Sequence, residues 1–236
     1  MSRTKIPFAD EVWNPITGCT KISPGCQRCY AENMAHRIAG RWPQAGYSKG
    51  DPFGITYHWD KLQEPFKWKT ERRVFVCSMG DFFHPHIPDS YRDVVLSIVQ
   101  ARPHITFIFM TKRAEEAYRY FRKGTPYNVW IGASVENQVM VEERTEWIIR
   151  IPSLVRFVNV EPILGPVDLA RYLPHLSWVI AGTETGKHKR EADTNWLRAT
   201  RDQCRSWDVP FFLMQAGENN HLDGKLHRQL PIGEIS

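Results

Sequence analysis

The sequence predicts an α/β fold, a partial (β/α) barrel of about six parallel βα units. Three observations carry that expectation. Short runs of β-branched and aromatic residues recur along the chain, and a helical stretch follows each. The runs are almost continuously apolar, as strands covered on both faces must be. Their spacing leaves room for one crossover helix between consecutive strands, which parallel pairing requires. A doubly wound open sheet satisfies the same pattern, because strand order is not written in the sequence.

The elements follow in order. A strand is expected ahead of the cysteine-rich loop at 13–32. "RRVFVCSMGD" (72–81) is the first clear run, with helix "PDSYRDVVLSIVQARP" after it. "ITFIFMTKR" (105–113) precedes helix "AEEAYRYFRKG", and "NVWIGASVEN" (128–137) precedes "VMVEERTEWIIRIP". "LVRFVNVEPIL" (154–164) leads to a short helical "PVDLARYL". "LSWVIAGTETG" (176–186) is followed by "DTNWLRATRDQCRSWD", and "VPFFLMQAGE" (209–218) is the last run. The barrel then occupies about 72–218, ahead of a tail at 219–236, in one domain of 236 residues. Polar residues gather where the runs end: Ser78, Asp81, Thr111, Lys112, Ser134, Glu136, Glu161, Thr183, Glu184, Gln215 and Glu218. Parallel α/β folds build their sites at that rim.

Composition narrows the function classes. Apolar residues make up 42% and charged residues 24%, an ordinary globular balance. No stretch approaches the roughly 18 uncharged apolar residues of a membrane helix. "MSRTKIPFADE" lacks an apolar signal core, so a cytoplasmic protein is expected. Five cysteines without an export signal argue against a disulfide framework and for metal or redox chemistry. The net charge of +5 and nine tryptophans are compatible with a polyanionic partner and base stacking.

Three of the five cysteines, Cys19, Cys26 and Cys29, form C-x6-C-x2-C inside "WNPITGCTKISPGCQRCYAE". Cys77 and Cys204 sit in apolar or helical settings that suit buried thiols. One reading is a Cys3His zinc site completed by His36, His84 or His86. The other is a 4Fe–4S cluster with three protein thiolates and one iron open to an exogenous ligand. Gly18, Pro24 and Gly25 permit a tight loop whose amides face the sulfurs, and Lys21 and Arg28 favour thiolates.

A cysteine loop ahead of a parallel barrel resembles the radical S-adenosylmethionine superfamily. Its usual spacing is C-x3-C-x2-C, so this chain departs from it between the first two cysteines. Seven ordered motifs, "WNPITGC", "SPGCQRCYAE", "SMGDFFHP", "MTKR", "GASVEN", "VEPILGPVDL" and "WVIAGTETG", resemble a phage-associated three-cysteine-motif family described as radical-SAM-like and largely of unknown function. Many members carry Gly-Gly-Glu-Ser-Gly where this chain has "GTETG".

The resemblance implies a radical-SAM-like barrel, a cluster on Cys19, Cys26 and Cys29, and S-adenosylmethionine on the open iron. Its cleavage to a 5′-deoxyadenosyl radical would begin the reaction, with electrons from an external flavodoxin- or ferredoxin-type donor. It implies that Ser78, Gly80 and Asp81 hold the methionine amino group, and that Ser134 and Glu136 face the ribose or carboxylate. Val160 and Glu161 fall where superfamily members contact adenine, and Tyr30 falls beside the cluster. Glu161, Glu184 and Lys112 are the catalytic candidates, while Arg113 and Thr183 are further rim contacts. Three functions follow. The first is a radical enzyme modifying or isomerising a nucleobase, such as thymidine hypermodification of phage DNA in the host cytoplasm. The second is a radical enzyme on a small metabolite or peptide. The third is a zinc-stabilised, non-catalytic nucleic-acid-binding protein. For nucleic acid, the basic loop 186–191 (Lys187, Lys189, Arg190) would take phosphates, and Tyr57 and Trp59 in an irregular lid at 48–61 would stack on a base.

Overall fold

The computed structural model describes residues 4–42, 46–48 and 50–231. Lys49 of the expected lid and residues 232–236 of the tail lie outside the described residues. Seven parallel strands form one sheet: β1 (Glu11–Trp13), β4 (Arg72–Val76), β5 (Ile105–Thr111), β6 (Val129–Ser134), β7 (Val155–Val160), β8 (Trp178–Ala181) and β9 (Phe211–Leu213). They lie side by side in chain order. The sheet curls without pairing its two end strands, giving the partial barrel expected and excluding the doubly wound alternative. The strand expected before the cysteine loop is β1, which pairs in parallel with β4 (Trp13 opposite Val76). A small antiparallel pair, β2 (Ile16–Thr17) with β3 (Thr56–Tyr57), stands beside the loop.

Helices cover the convex face: α2 (Asp89–Gln100), α3 (Ala114–Phe121), α4 (Gln138–Ile149) and α5 (Thr194–Ser206); α1 (Tyr30–Arg41) follows the cysteines. Alternate strand residues such as Val76, Phe107, Phe109, Ile131, Val158, Val160 and Val179 pack beneath them. The other set, Phe75, Ile108, Trp130, Phe157, Trp178 and Phe212, fills the concave side. Both faces are therefore apolar, which is why the strand runs read as continuous. Polar caps start two helices: Asn137 Oδ1 accepts from Met140 N at 3.0 Å, and Asp193 Oδ1 from Asn195 N at 2.8 Å.

The N-terminal segment closes the bottom of the open barrel. The Phe8 ring meets Phe75, Trp178 and Phe212 at 5.5, 5.8 and 6.1 Å, edge to face. Burial of such a side chain contributes about 1.5–3 kcal/mol. At the far edge the tail returns antiparallel to β9, with Leu213 N donating to His227 O at 2.9 Å, and the Trp178 indole donates to Gln229 O at 2.8 Å. This covers an otherwise bare sheet edge.

"PVDLARYL" departs from expectation. It forms turns and a single 3-10 turn, Leu173–His175, not a helix. Side chains take the backbone groups a helix would have paired. Gln203 accepts from Leu169 N at 2.7 Å and donates to Val167 O at 2.8 Å, and Gln138 accepts from Asp168 N at 2.7 Å. No described helix is long and apolar enough to cross a membrane.

Candidate functional site

The carboxyl ends of the strands and the cysteine loop enclose a cavity of about 330 Å3. Its wall holds Cys19, Cys26, Cys29, Tyr30, Ser78, Gly80, Asp81, Lys112, Ser134, Glu161 and Glu184, so eleven of the thirteen expected site residues converge. Glu136 and Val160 do not border it. Val160 points into the helix-side core, with its carbonyl taken by Gly182 N at 3.1 Å. Glu136 lies wholly buried behind the loop.

The cysteine loop crosses the rim between β2 and α1. Gly18 enters it at φ 92°, a left-handed conformation suited to glycine, and a Cβ there would lie 2.1 Å from Gly54 O. Gly80 passes alongside; its Cβ would lie 2.8 Å from Gly18 O. Asn14 Oδ1 ties down the "SMGD" segment, accepting from Ser78 Oγ and Met79 N at 3.2 and 3.1 Å, and the Tyr30 hydroxyl donates to Ser78 O. Cys29 precedes the first residue of α1, so the positive end of that helix faces the loop.

Charged residues from three strand ends then clamp the loop. After β5, Arg113 donates to Cys19 Sγ at 3.2 Å, to Thr20 O at 3.0 Å and to Thr20 Oγ1 at 2.8 Å. Asp81 holds that guanidinium at 3.2 Å while accepting from Thr111 Oγ1 at 2.7 Å and from Phe83 N at 3.0 Å. After β6, Glu136 accepts from Gly25 N at 2.9 Å and pairs with buried Arg144 at 2.9 Å. A Cβ on Gly25 would sit 2.9 Å from Glu136 Cδ, so only glycine allows this approach. After β8, Glu184 pairs with Arg190 and, at 3.4 Å, with Arg28, and Arg190 also donates to Pro24 O at 3.1 Å.

Several expected contact residues thus serve the loop itself. Asp81, Arg113, Glu136 and Glu184 are engaged with protein partners, and Arg190 of the basic loop points inward. Lys21 pairs with Glu32 at 2.7 Å. Arg113 lies 3.2 Å from Cys19 Sγ, and Lys112 acts electrostatically on Cys26. Burial alone would raise the Cys26 thiol pKa, but hydrogen bonds at Ile22 and Ser23 and the Lys112 charge hold it below the ordinary value. For Cys19, burial and the Asp81 charge prevail over Arg113 and push it up. At Glu136 burial is outweighed by Arg144, and at Glu184 by Arg190, so both stay below the usual carboxylate range.

The inner wall is different. Burial raises the Glu161 pKa against bonds from Gln215 Nε2 at 2.6 Å and Asn159 Nδ2 at 3.4 Å. Lys112 forms no ion pair among the described residues. Phe8, Phe75, Met110 and Met214 supply an apolar floor. Sequence reading missed Asn14, Asn159, Met110 and Met214. Asn159 and Met110 alternate inward on strands whose continuous apolar pattern hides which face a residue takes.

Among the described residues no three His, Cys, Asp or Glu side chains converge closely enough to hold a single ion. His84 hydrogen-bonds Thr20 Oγ1 at 2.9 Å. The three thiols border one cavity without closing on a point, which fits a polynuclear cluster whose thiolates bind separate irons. Cys77 and Cys204 are buried, as expected.

Fold and site together define a parallel half-barrel protein with a clamped three-cysteine loop at its carboxyl rim. The chain belongs to the family described as protein of unknown function (DUF5131), whose model matches residues 3–231. That description carries no phage association, so the phage link rests on the motifs alone. No curated protein matches the sequence. Structures of spore photoproduct lyase share the fold. A Cys-to-Ala variant with dinucleoside spore photoproduct aligns at TM-score 0.61 and 11% identity, covering 91% of this chain and 79% of that one. A complex with the same dinucleoside gives 0.59 and 12% over the same shares. A double variant with bound AdoMet and the dinucleoside gives 0.56 and 11%, over 90% and 78%. One of these neighbours is described with bound AdoMet, and what this chain shares with them is the fold.

Proposed function

We propose that this chain is a radical S-adenosylmethionine enzyme acting on a nucleobase or nucleotide. One observation carries the reading: the three thiols of a single loop border the mouth of a cavity at the carboxyl rim of a parallel half-barrel. Cys19, Cys26 and Cys29 would hold a 4Fe–4S cluster. When bound, the cluster supplies the electron that cleaves S-adenosylmethionine to a 5′-deoxyadenosyl radical. Arg113, Glu136 and the Glu184–Arg190 pair fasten the loop that would hold the cluster, with its three thiols bordering the cavity. Ser78, Gly80 and Ser134 border the space for the cofactor, and Tyr30 closes its flank. Lys112 and Glu161 remain for substrate: one a cation, the other a carboxyl group that burial biases towards the neutral acid. The apolar floor excludes water from the reacting atoms.

The nucleobase part draws support from the cavity's apolar floor with polar wall, from the +5 charge, and from the dinucleoside held by proteins of the same fold. An external one-electron donor completes the chemistry. The test is anaerobic reconstitution followed by iron, sulfide and S-adenosylmethionine-cleavage assays. About four iron and four sulfide per chain, with 5′-deoxyadenosine formed on reduction, is the expected outcome. Zinc without iron, or loss of nothing in a triple Cys→Ala variant, would sink the proposal.

A further inference from the structure

The helix that follows the cysteines has two unlike sides. Ala31, Ala35 and Ala39 of α1, spaced four apart, are buried in a cluster with Phe53 and Met79. Met34, Arg37 and Arg41 recur at helical spacing on the outer side, where all three are exposed. Met34 is 39% exposed, and Trp42, just past the helix end, is 47% exposed with the Arg41 guanidinium 4.9 Å from its ring centre. Ile22 of the cysteine loop is a further exposed apolar residue, and the Lys21–Glu32 pair at 2.7 Å ties that loop to the first turn of α1.

The same segment concentrates the charge of the molecule. Residues 19–42 hold four basic residues (Lys21, Arg28, Arg37 and Arg41) against one acidic residue (Glu32), three of the net five charges of the chain. Lys21 and Arg28 are engaged in ion pairs, whereas Arg37 and Arg41 form none among the described residues. Methionine, aromatic residues and arginine are the types that protein interfaces favour. Ile22, Met34, Arg37, Arg41 and Trp42 do not border the cavity, so what they contact is neither the cofactor nor a substrate held there. A nucleic-acid backbone would need the cations alone and would gain little from Ile22, Met34 and Trp42. An acidic protein surface uses both.

We infer that the outer side of α1, with Ile22 and Trp42, docks a small acidic redox protein that supplies the electron. Cys29 directly precedes α1, so a partner seated there lies against the loop that carries all three thiols. Electron transfer weakens steeply with distance, which makes the outside of that loop the useful place to dock. One electron passes from the reduced centre of the partner to the cluster, and the partner leaves oxidised by one electron. The inference rests on the radical reading above for the need of an electron and adds the partner and its seat.

The experiment compares two reductants in S-adenosylmethionine cleavage by the reconstituted full-length protein: dithionite, which needs no docking, and a reduced bacterial flavodoxin, an acidic protein. Reversing both charges, Arg37→Glu with Arg41→Glu, should slow cleavage at limiting flavodoxin roughly tenfold, the low end of what electrostatic steering supplies. Iron content and dithionite-driven cleavage should match the parent. Raising salt from about 50 to 300 mM should slow flavodoxin-driven cleavage by the parent and leave the variant nearly unchanged. Arg37→Gln with Arg41→Gln serves if the reversal lowers iron content. Parental flavodoxin-driven cleavage in the variant overturns the inference, as does an equal loss with both reductants. Failure of flavodoxin and of a ferredoxin alike to drive the unaltered protein, while dithionite does, also overturns it. If the variant instead loses binding to a DNA duplex and keeps flavodoxin-driven cleavage, the patch serves nucleic acid and the inference is overturned. Calorimetry separates the two readings: flavodoxin binding that weakens in the variant, with no cleavage under either reductant, upholds the docking surface and sinks the radical reading.

Discussion

Replacing Glu136 by Gln isolates the charge at the centre of the loop clamp. The carboxamide keeps the shape of the side chain, and its oxygen can still accept from Gly25 N. What disappears is the negative charge facing Arg144, in a pair whose side chains are 0% and 3% exposed. Breaking a pair buried this completely costs about 3–5 kcal/mol, because the remaining charge stays desolvated. For a chain of this length each kcal/mol lowers Tm by about 2–4 °C, so Glu136→Gln should melt roughly 6–20 °C below the parent. Differential scanning calorimetry on the anaerobic protein reads this directly, and iron per chain should fall with it. Adding Arg144→Met removes the stranded charge and should recover part of the loss. It will not recover all of it, because Ser134 O then loses its donor at 2.7 Å. A loss under about 1 kcal/mol, far below the buried-pair range, would refute the reasoning, as would a double variant weaker than the single one. Early melting with full iron content would show that Glu136 supports the core without seating the loop.

Two other outcomes follow from the same geometry. Gly25→Ala should cost about 1–3 kcal/mol, since its Cβ would press on a carboxylate that Arg144 prevents from moving; retention of parental Tm and iron content would show that the loop does not rest on Glu136. His58, 4% exposed and bonded to Thr17 Oγ1 at 2.8 Å, is held below its ordinary pKa of 6.5, chiefly by burial. The unfolded chain then binds its proton first as pH falls, so stability is complete above about pH 6.5 and declines below it. Urea melts should show that decline flattened in His58→Gln, and an unchanged slope would exclude His58 as its source.

The strands were legible because a parallel sheet buried on both faces demands continuous apolar runs, and the rim was legible because each run ended in polar residues. The use of those polar residues was not legible. Asp81, Arg113, Glu136 and Glu184 look from sequence like ligand contacts, yet each is committed to partners on other elements. Gly25 lies on a different element from Glu136, and Pro24 O is reached by an arginine from beyond β8. Local patterning cannot report such pairings. "PVDLARYL" failed for a related reason: Gln138 and Gln203, on two other helices, satisfy its backbone in place of helical hydrogen bonds.

These clamps also account for the unusual spacing of the cysteines. Six residues, Thr20 to Gly25, separate Cys19 from Cys26, and a longer loop has more conformations to lose when its sulfurs are brought together. The insert is fastened near both ends: Thr20 by Arg113, Pro24 by Arg190 and Gly25 by Glu136. Each fastener rises from a different strand end and is itself fixed by a countercharge: Asp81 for Arg113, Arg144 for Glu136, Glu184 for Arg190. The freedom added by the extra residues is removed by the barrel rim, so a lengthened loop can still present three thiols to one cavity. On this account the spacing and the buried ion pairs form one device: shortening the insert would make the clamps redundant, and removing a clamp should matter more here than in a protein with the shorter spacing.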